Sequence, residues 1–204
     1  YLSPYGHSVP TPALAEFAAR HPAVAFDLDL SDRAVDLVEE GFDLAVRIGS
    51  IGPQTLVSRR LGTTALVCCA SPGYLARRGT PGTPEELARH DCLAYTLASM
   101  PQTWTFSQRD GTPRAAELAV RHRANSGRML ATMAVAGMGI AVEPDFIVAP
   151  DIRAGRLVRV LDEFEPPRSP IAAVYPSRRH LSAKVRSLVD FLAARYAERA
   201  EWAL

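Results

Sequence analysis

Segments of strand length alternate with segments of helical periodicity along this chain of 204 residues, and this alternation constrains the fold more than any other feature. The first predicted elements are a helix over 10–20, a strand over 24–30, a helix over 32–40 and a strand over 43–48. The strand over 24–30 is predicted from alternating apolar and polar side chains. The helix after it has Ser31 as N-cap and Gly41 just beyond its last turn. Strand, helix and strand joined by tight connections indicate a parallel sheet.

A second α/β unit begins at the apolar run from Ala65 to Ala70. Its other predicted elements are a helix near 84–89 capped by Thr83, a hairpin around 104–114, a strand over 118–123, a helix opened by Asn125-Ser126 that reaches about residue 136, a strand over 139–142 and a hairpin-like stretch at 150–161. Pro166-Pro167 marks a break, followed by a strand over 170–175 and an amphipathic helix over 181–197. We therefore predict two lobes, 1–64 with 170–204 and 65–169, joined by two crossovers with a cleft between them.

The charge and cysteine content exclude several classes of protein. Lys and Arg number 23 against 22 Asp and Glu, and this balance argues against a chain that grips a phosphate backbone by itself. No apolar run reaches the roughly 18 residues that a membrane span needs, so we expect no membrane partner. Three cysteines, two of them adjacent, favour a reducing, cytoplasmic compartment over a disulfide framework. Because the chain starts at Tyr1 without a basic and apolar leader, we interpret it as a piece of a longer protein.

Candidate catalytic, metal and cofactor groups each have a simpler structural explanation. Cys68 and Cys69 would point to opposite faces of a strand, so we predict two buried small hydrophobes and no metal clamp. His90-Asp91 does not give triad geometry by adjacency alone, and no G-x-S-x-G elbow accompanies it. The glycines around Met138 end a helix and enter a strand, the reverse of a dinucleotide loop. We predict no catalytic residue, no metal and no cofactor, and hence no enzyme.

Loops that lead from strands into helix N-termini are the better candidates for a binding site. They comprise the residues Tyr5, Gly6, His7 and Ser8, the cap Ser31, and the pair Asn125 and Ser126. Free N–H groups and the positive end of the helix dipole collect at such places, and open α/β sheets bind ligands there. These residues could equally be only caps, but three converging on one cleft favour a small-molecule site. Arg47, at the carboxyl end of its strand, serves either a ligand carboxylate or a neighbouring Asp.

A series of co-linear motifs resembles the effector-binding domain of LysR-type transcriptional regulators over essentially the whole chain. The motifs are Glu40 to Gly49, Ala70-Ser71-Pro72-Gly73-Tyr74-Leu75, Gly79-Thr80-Pro81, Leu87 to Cys92, Ala136 to Ala141, Gly155 to Val158, Val174-Tyr175-Pro176 and Leu181 to Arg186. The resemblance implies two Rossmann-like lobes similar to type 2 periplasmic binding proteins, with a small effector between them. Carried over by position, it implies effector contacts at Tyr5, Gly6, His7, Ser8, Ser31, Arg47, Gly49, Asn125, Ser126 and Pro176.

Two departures from the family pattern accompany the resemblance. The winged helix-turn-helix is missing from this chain, so DNA contact is expected only through that N-terminal domain. Glu143 stands where an apolar residue commonly precedes the proline. The favoured function is the inducer-binding and dimerising half of a bacterial transcription regulator, with an anionic effector such as an aromatic acid. The alternative is a solute-binding protein of a transport system, which shares the fold.

We also predict how two copies meet. The strand 24–30 is expected at the edge of the first lobe with Asp27 and Asp29 outward, and the strand 118–123 at the edge of the second lobe with Arg121 and Arg123 outward. Opposite charges would pair under a two-fold axis, while helix 10–20, with Leu14 and Phe17, and helix 127–136 add apolar contact. Charges that merely protect edges from aggregation are the alternative. The resemblance likewise implies an antiparallel homodimer, or a tetramer in the full-length protein.

Overall fold

A computed structural model of the chain describes residues 10–30, 33, 35–49, 55–98, 102–177 and 182–197. These residues form two compact units. Unit 1 contains the described residues up to Thr64 and those from Ser169 onward, and unit 2 contains those from Ala65 to Arg168. No helix in the described ranges combines the length and the apolar character that crossing a membrane requires.

Helices and strands follow one another along both units. In chain order they are α1 (Pro10–Arg20), β1 (Ala45–Ile48), β2 (Leu56–Thr64), β3 (Leu66–Ala70), α2 (Pro72–Arg78), a 3₁₀ helix (Pro84–Arg89), β4 (Cys92–Tyr95), β5 (Thr103–Gln108), β6 (Pro113–Glu117), β7 (Val120–Ala124), α3 (Gly127–Val135), β8 (Ile140–Pro144), α4 (Asp145–Arg153), β9 (Val158–Arg159), β10 (Phe164–Glu165), β11 (Ser169–Pro176) and α5 (Ala183–Ala197). The mixed α/β content agrees with the predicted fold class.

Unit 1 is built on a three-stranded sheet of order β1-β11-β2, in which both pairings are antiparallel. Successive side chains of the central strand β11 point to opposite faces of the sheet and pack into two different hydrophobic clusters. Ile171 and Ala173 join a cluster with residues of α1 and α5, whereas Ala172 and Val174 pack with Val35 on the other face. The expectation of a parallel sheet is wrong for these strands, because the partner of β1 arrives from the other end of the chain and runs in the opposite direction.

The predicted strand over 24–30 is not present. Residues 24–29 have no strand assignment, and Leu30 forms only an isolated bridge. Phe26 packs beside Phe17 at 6.1 Å between ring centroids, but Leu28 and Leu30 remain 46% and 38% exposed. Alternating side chains indicate which residues could be half-buried, but they do not provide a neighbouring strand for the backbone groups. Residues 24–29 accordingly form no ladder of hydrogen bonds with another described strand.

The predicted helix over 32–40 is also wrong over its described residues, which form a single turn. The Asp36 carboxylate accepts hydrogen bonds from the amides of Val38 and Glu39 at 2.9 and 3.1 Å. The Glu40 amide then donates to the Asp36 carbonyl at 3.0 Å, and Gly41 follows with φ of 75°. An Asp side chain that caps its own following amides starts a turn inside the segment, and this local bond competes with a helix begun at Ser31. Ser31 itself lies outside the described residues.

Unit 2 contains a five-stranded mixed sheet of order β7-β4-β8-β3-β9 and a separate three-stranded sheet of order β10-β5-β6. β7, β4 and β8 run parallel, while β3 is antiparallel to β8 and β9. The predicted hairpin is confirmed as β5 and β6, and the predicted strand over 118–123 is confirmed, with slightly shifted bounds, as β7. As predicted, β7 lies at an edge of its sheet, with Val120 and His122 half-buried and Arg121 and Arg123 exposed.

Several elements of unit 2 differ from the sequence prediction. Residues 150–161 do not form a hairpin, because residues up to Arg153 belong to α4, which β9 follows after a turn. Pro150 lies inside α4, and because proline ordinarily ends helices, the sequence does not indicate a helix there. The helix α2 was also missed, although Ser71 caps it and Pro72 occupies the first helical position, a recognised start signal. The strand β2 was not predicted either.

The backbone at Gly139, just before β8, lies very close to the backbone of Asp91, just before β4. Gly139 has φ of 159°, and a Cβ placed on it would lie 2.3 Å from the carbonyl oxygen of Asp91. The same carbonyl accepts the amide of Ile140 at 2.9 Å, so the close approach belongs to the sheet itself. Here the backbones come too close together for any side chain at residue 139.

Gly139→Ala should destabilise the protein by about 3 kcal/mol, at the upper end of the usual cost of overpacking. Urea unfolding monitored by circular dichroism measures this effect. The matched control is Gly73→Ala, whose Cβ would have Arg77 Nη1 at 3.7 Å as its nearest contact within α2. That control should be neutral or stabilising by up to about 1 kcal/mol. Equal unfolding midpoints for the two variants would contradict the close approach of the backbone at residue 139 to the Asp91 carbonyl.

Candidate functional site

Parallel strands bring three chain segments to one edge of the large sheet in unit 2. β7, β4 and β8 run in the same direction, so their carboxyl ends meet there. The Thr96 amide donates to the Ala124 carbonyl at 2.9 Å and ties the end of β4 to the end of β7. Asn125 and Ser126 follow directly. Ligands of open α/β sheets bind at such carboxyl edges. Asn125 and Ser126, which the sequence predicts as binding residues, lie at this edge.

Ser126 is the N-cap of α3. Its backbone is extended, with φ of −136° and ψ of 118°, and its hydroxyl oxygen accepts the amide of Met129 at 3.5 Å. Ser126 is half-buried, whereas Asn125 beside it is exposed. The predicted cap is therefore confirmed. The positive end of the α3 dipole faces the carboxyl edge of the sheet, where it favours negative charge.

Two buried carboxyl groups lie at the end of β8. Glu143 is 1% exposed and pairs with Val67 of β3, and Asp145 is 2% exposed at the first position of α4. Asp145 accepts the amide of Phe146 at 2.7 Å and donates its own amide to the Ala65 carbonyl at 2.9 Å. The departure from the family pattern at Glu143 is therefore an interior position of the sheet. Asp145 gives no signal in the sequence, because a residue that follows a strand proline resembles a loop.

Arg47 is anchored within unit 1. It is half-buried in β1, and its Nη2 donates to the Val35 carbonyl oxygen at 2.8 Å, which joins the strand to the turn at 36–41. The bond orients the guanidinium, which has five N–H donors and can serve a carboxylate in addition. Gly49, two residues further on, donates its amide to the Pro170 carbonyl at 2.9 Å.

The structure does not bring all the predicted residues of unit 1 together. Arg47 pairs with Ala172 of β11, whereas Pro176 is the last residue of that strand and pairs with Leu56. Pro176 lies four positions after Ala172 along the extended strand, a distance of roughly 13 Å between their Cα atoms. Tyr5, Gly6, His7 and Ser8, like Ser31, lie outside the described residues.

The three cysteines are interior thiols without a disulfide. Burial is the main cause that raises the pKa of Cys69 to about 12 and that of Cys92 to about 12, and it raises the pKa of Cys68 well above its usual range. Cys68 and Cys92 pack with Ile140 and Phe106 in the core of unit 2. The prediction that Cys68 and Cys69 are buried small hydrophobes is confirmed. Within the described ranges, no three His, Cys, Asp or Glu side chains are grouped as metal ligands.

A depression of about 430 Å³ on the surface of α5 is lined by Ala183, Arg186, Ser187 and Asp190. Asp190 pairs there with Arg59 of β2, and both side chains are about half exposed. These residues are a solvated helix face with a surface ion pair, an arrangement that provides little binding energy. None of them was predicted as an effector contact.

Comparison with known proteins gives consistent matches. A family model for the LysR substrate binding domain matches residues 2–197. An uncharacterised HTH-type transcriptional regulator of Haemophilus influenzae is 40% identical over 177 residues, which are 87% of this chain and 61% of the relative. The HTH-type transcriptional regulator DmlR of Escherichia coli is 36% identical over 195 residues, 95% of this chain and 63% of the relative. This chain thus spans less than two thirds of these relatives.

Solved structures with the same fold include two regulators. The regulatory domain of CrgA, a LysR-type transcriptional regulator from Neisseria meningitidis, has a TM-score of 0.82 and 31% identity, with 96% of each chain covered. The full-length virulence activator AphB of Vibrio cholerae has a TM-score of 0.80 and 25% identity, with 96% of this chain and 67% of that chain covered.

The buried cysteines should not react with Ellman's reagent in the native protein at pH 8. A thiol whose pKa is raised to about 12 is thiolate in only about one molecule in ten thousand at that pH. All three should react in guanidinium chloride. The matched control is Ser107→Cys, which places a thiol at an exposed position of β5 and should react at once. Rapid modification of one thiol in the native wild type would contradict the assignment.

Proposed function

This chain belongs to the family of LysR substrate-binding domains, and from that membership we propose the effector chemistry, the contact residues and the assembly that follow. The chain is the effector-binding regulatory domain of a transcription regulator, and domains of this family bind small-molecule effectors and oligomerise. The prediction of this function is confirmed. The relatives reported above are transcription regulators, so the alternative of a transport solute-binding protein has no support.

We propose that the effector is a small organic anion, such as an aromatic acid. The observation that carries this proposal is the oriented guanidinium of Arg47, held by the Val35 carbonyl at 2.8 Å. The N-terminus of α3 at Ser126 supports it, since the helix dipole and amide groups there favour a negative group. A planar carboxylate suits a guanidinium because two parallel hydrogen bonds can form.

The proposed contacts are Arg47 and Gly49 in unit 1 and Asn125 and Ser126 in unit 2. The residues Tyr5, Gly6, His7 and Ser8, with Ser31 and Pro176, complete the set by family resemblance. Pro176 is the weakest member, because its side chain is buried and it lies at the far end of β11 from Arg47. Binding without chemical turnover fits a regulatory role.

The whole regulator is expected to act in the cytoplasm. The curated relatives are HTH-type transcriptional regulators, of which this chain spans 61 and 63%. We propose that DNA is contacted through a helix-turn-helix domain outside this chain, and that the chain alone has no sequence-specific affinity for DNA. Its charge balance, 23 basic against 22 acidic residues, supports this assignment because DNA binding needs a clustered basic excess.

We propose a homodimer in which the edge strand β7 is one contact surface. Arg121 and Arg123 are exposed along it. Asp27 and Asp29 of a second copy are the proposed acidic counterpart, although they lie on an irregular segment and not on an edge strand. Leu14 and Phe17 are 7% and 0% exposed in the core of unit 1, so their apolar area is already used within one copy.

Organic anions should stabilise the domain against heat, whereas their neutral amides should not. The probes are salicylate and succinate against salicylamide and succinamide. A probe present at 100 times its Kd should add about 2.7 kcal/mol of stability, visible as a raised Tm. Arg47→Gln should weaken binding about tenfold or more, since a charge-assisted hydrogen bond contributes about 1.5–3 kcal/mol.

The control for this experiment is Arg59→Gln, which removes a surface arginine of unit 1 that pairs with Asp190. It should leave anion binding unchanged. An amide that stabilises as well as its acid would contradict the anionic effector. Binding unaffected by Arg47→Gln would remove that residue from the site.

Charge reversal tests the proposed dimer. The double variant Asp27→Arg with Asp29→Arg should weaken self-association in sedimentation velocity, and adding Arg121→Asp with Arg123→Asp should partly restore it. Exposed ion pairs contribute about 0–1 kcal/mol each, so the expected shift in dimer Kd is about tenfold or less. Arg109→Asp with Arg153→Asp, two exposed arginines elsewhere on unit 2, is the control. A quadruple variant no better than the first double variant would contradict the pairing.

A further inference from the structure

Unit 2 contains a buried hydrogen-bond chain that the proposed function does not use. Tyr74 of α2 is 2% exposed, and His90, which follows the 3₁₀ helix, is 6% exposed. The Tyr74 Oη lies 3.2 Å from His90 Nδ1 and 2.9 Å from the amide nitrogen of Asp91. The two rings lie 5.9 Å apart between centroids. Two nitrogen atoms of the adjacent residues His90 and Asp91 thus meet at the hydroxyl group of Tyr74, 16 positions before His90 in the chain.

The donors and acceptors of this hydrogen-bond chain depend on the protonation of His90. The Asp91 amide can only donate, so the Tyr74 oxygen accepts from it. The hydroxyl has a single proton, which it can donate to His90 Nδ1 when that nitrogen carries no proton. This bond therefore needs a neutral His90 with its proton on Nε2.

Protonation of His90 would reverse the role of Nδ1. A cationic imidazole donates from both nitrogens, so Nδ1 would then face the hydroxyl proton of Tyr74. The hydroxyl would have to turn its proton toward another acceptor in a site that is only 2% exposed. A buried donor without an acceptor is costly, and burial also opposes the new charge.

Charged groups of the surrounding elements act on His90 in both directions. Arg78 of α2 disfavours the protonated ring, whereas Glu86 of the 3₁₀ helix and Asp91 favour it. Burial is the largest influence, and together these lower the pKa of His90 below its ordinary value. Arg78 is held near by a bond from its Nη2 to the Arg89 carbonyl at 3.0 Å.

The hydrogen-bond chain holds the beginning of β4, a strand in the interior of the large sheet. The Asp91 amide is bound by Tyr74, and the Asp91 carbonyl accepts the amide of Ile140 at 2.9 Å. The next amide, of Cys92, donates to the Ala119 carbonyl at 3.0 Å. Tyr74 therefore connects α2 to a point where β4, β8 and the approach to β7 are joined.

We propose that Tyr74, His90 and the Asp91 amide form a proton-sensitive latch, which holds α2 and the 3₁₀ helix against β4 while His90 is neutral and opens when that ring is protonated. The regulatory domain then loses stability in mild acid through one identified residue. The latch belongs to unit 2 alone and does not depend on the identity of the effector.

The sign of the effect follows from linkage. Because the folded-state pKa of His90 is lowered, the unfolded chain binds the extra proton more readily. The stabilisation is fully present above the unfolded histidine pKa of about 6.5 and is lost as pH falls below it toward the folded-state pKa. In that interval, protonation of this residue should raise the unfolding equilibrium constant by up to about tenfold for each unit by which the pH falls.

Nuclear magnetic resonance of the wild-type domain tests the latch without a substitution. Long-range ¹H–¹⁵N correlations of the imidazoles should show His90 as the Nε2–H tautomer at pH 7. That signal should persist to a pH below the ordinary histidine pKa of about 6.5, because the pKa of His90 is lowered. A His90 that carries its proton on Nδ1, or that titrates at or above the ordinary histidine pKa of about 6.5, would overturn the proposal.

Urea unfolding of three variants between pH 5 and 8 measures the consequence. His90→Gln and Tyr74→Phe should lower stability at pH 7.5. His90→Gln should also flatten the pH dependence below pH 6.5, while His122→Gln should retain the slope of the wild type. A His90→Gln variant with the wild-type slope would overturn the latch, and the tautomer measurement decides the case if that variant does not fold.

Discussion

The ladder between β1 and β11 is the interaction on which unit 1 depends. It joins Ala45 near the start of the chain to Val174 near its end, and β11 is bonded on its other side to β2. Both faces of β11 carry buried residues, so one strand contributes to two hydrophobic clusters of described residues. Unit 2 is therefore an insertion between β2 and β11, and two chain passages connect it, at Thr64 and at Ser169.

This arrangement explains where the proposed effector groups lie. Arg47 is on β1, and its direction is set by a bond to Val35 that exists only when the turn at 36–41 packs beside the strand. In unit 2 the parallel set β7, β4 and β8 puts Ser126 at the carboxyl edge of its sheet. Each group therefore depends on pairings between segments that are remote in sequence.

The thiols and the histidine in the interior of unit 2 have different consequences. Its thiols have pKa values raised to about 12 at Cys69 and Cys92, which makes them inert at neutral pH. Histidine ordinarily titrates near neutrality, burial lowers the pKa of His90, and the bond to Tyr74 makes its protonation matter to packing. Sensitivity to protons and insensitivity to thiol reagents thus follow from the same burial.

Local patterns in the sequence determined the elements whose signals are complete within a few residues. The helix from Pro10 to Arg20, the hairpin of β5 and β6, the cap at Ser126 and the two-faced strand β7 were all predictable in this way. The co-linear motifs determined the family. Side-chain periodicity and capping act over one or two turns, so these features need no knowledge of the partner.

Tertiary structure alone decided which strands pair and which polar groups meet. The segment 24–30 has strand periodicity but no ladder over residues 24–29, and the Asp36 turn replaces the helix expected there. Tyr74 and His90 stand 16 positions apart, and Arg47 finds its carbonyl partner 12 positions away. A backbone hydrogen bond or a buried side-chain contact is a property of two segments, and a pattern within one segment does not specify the other.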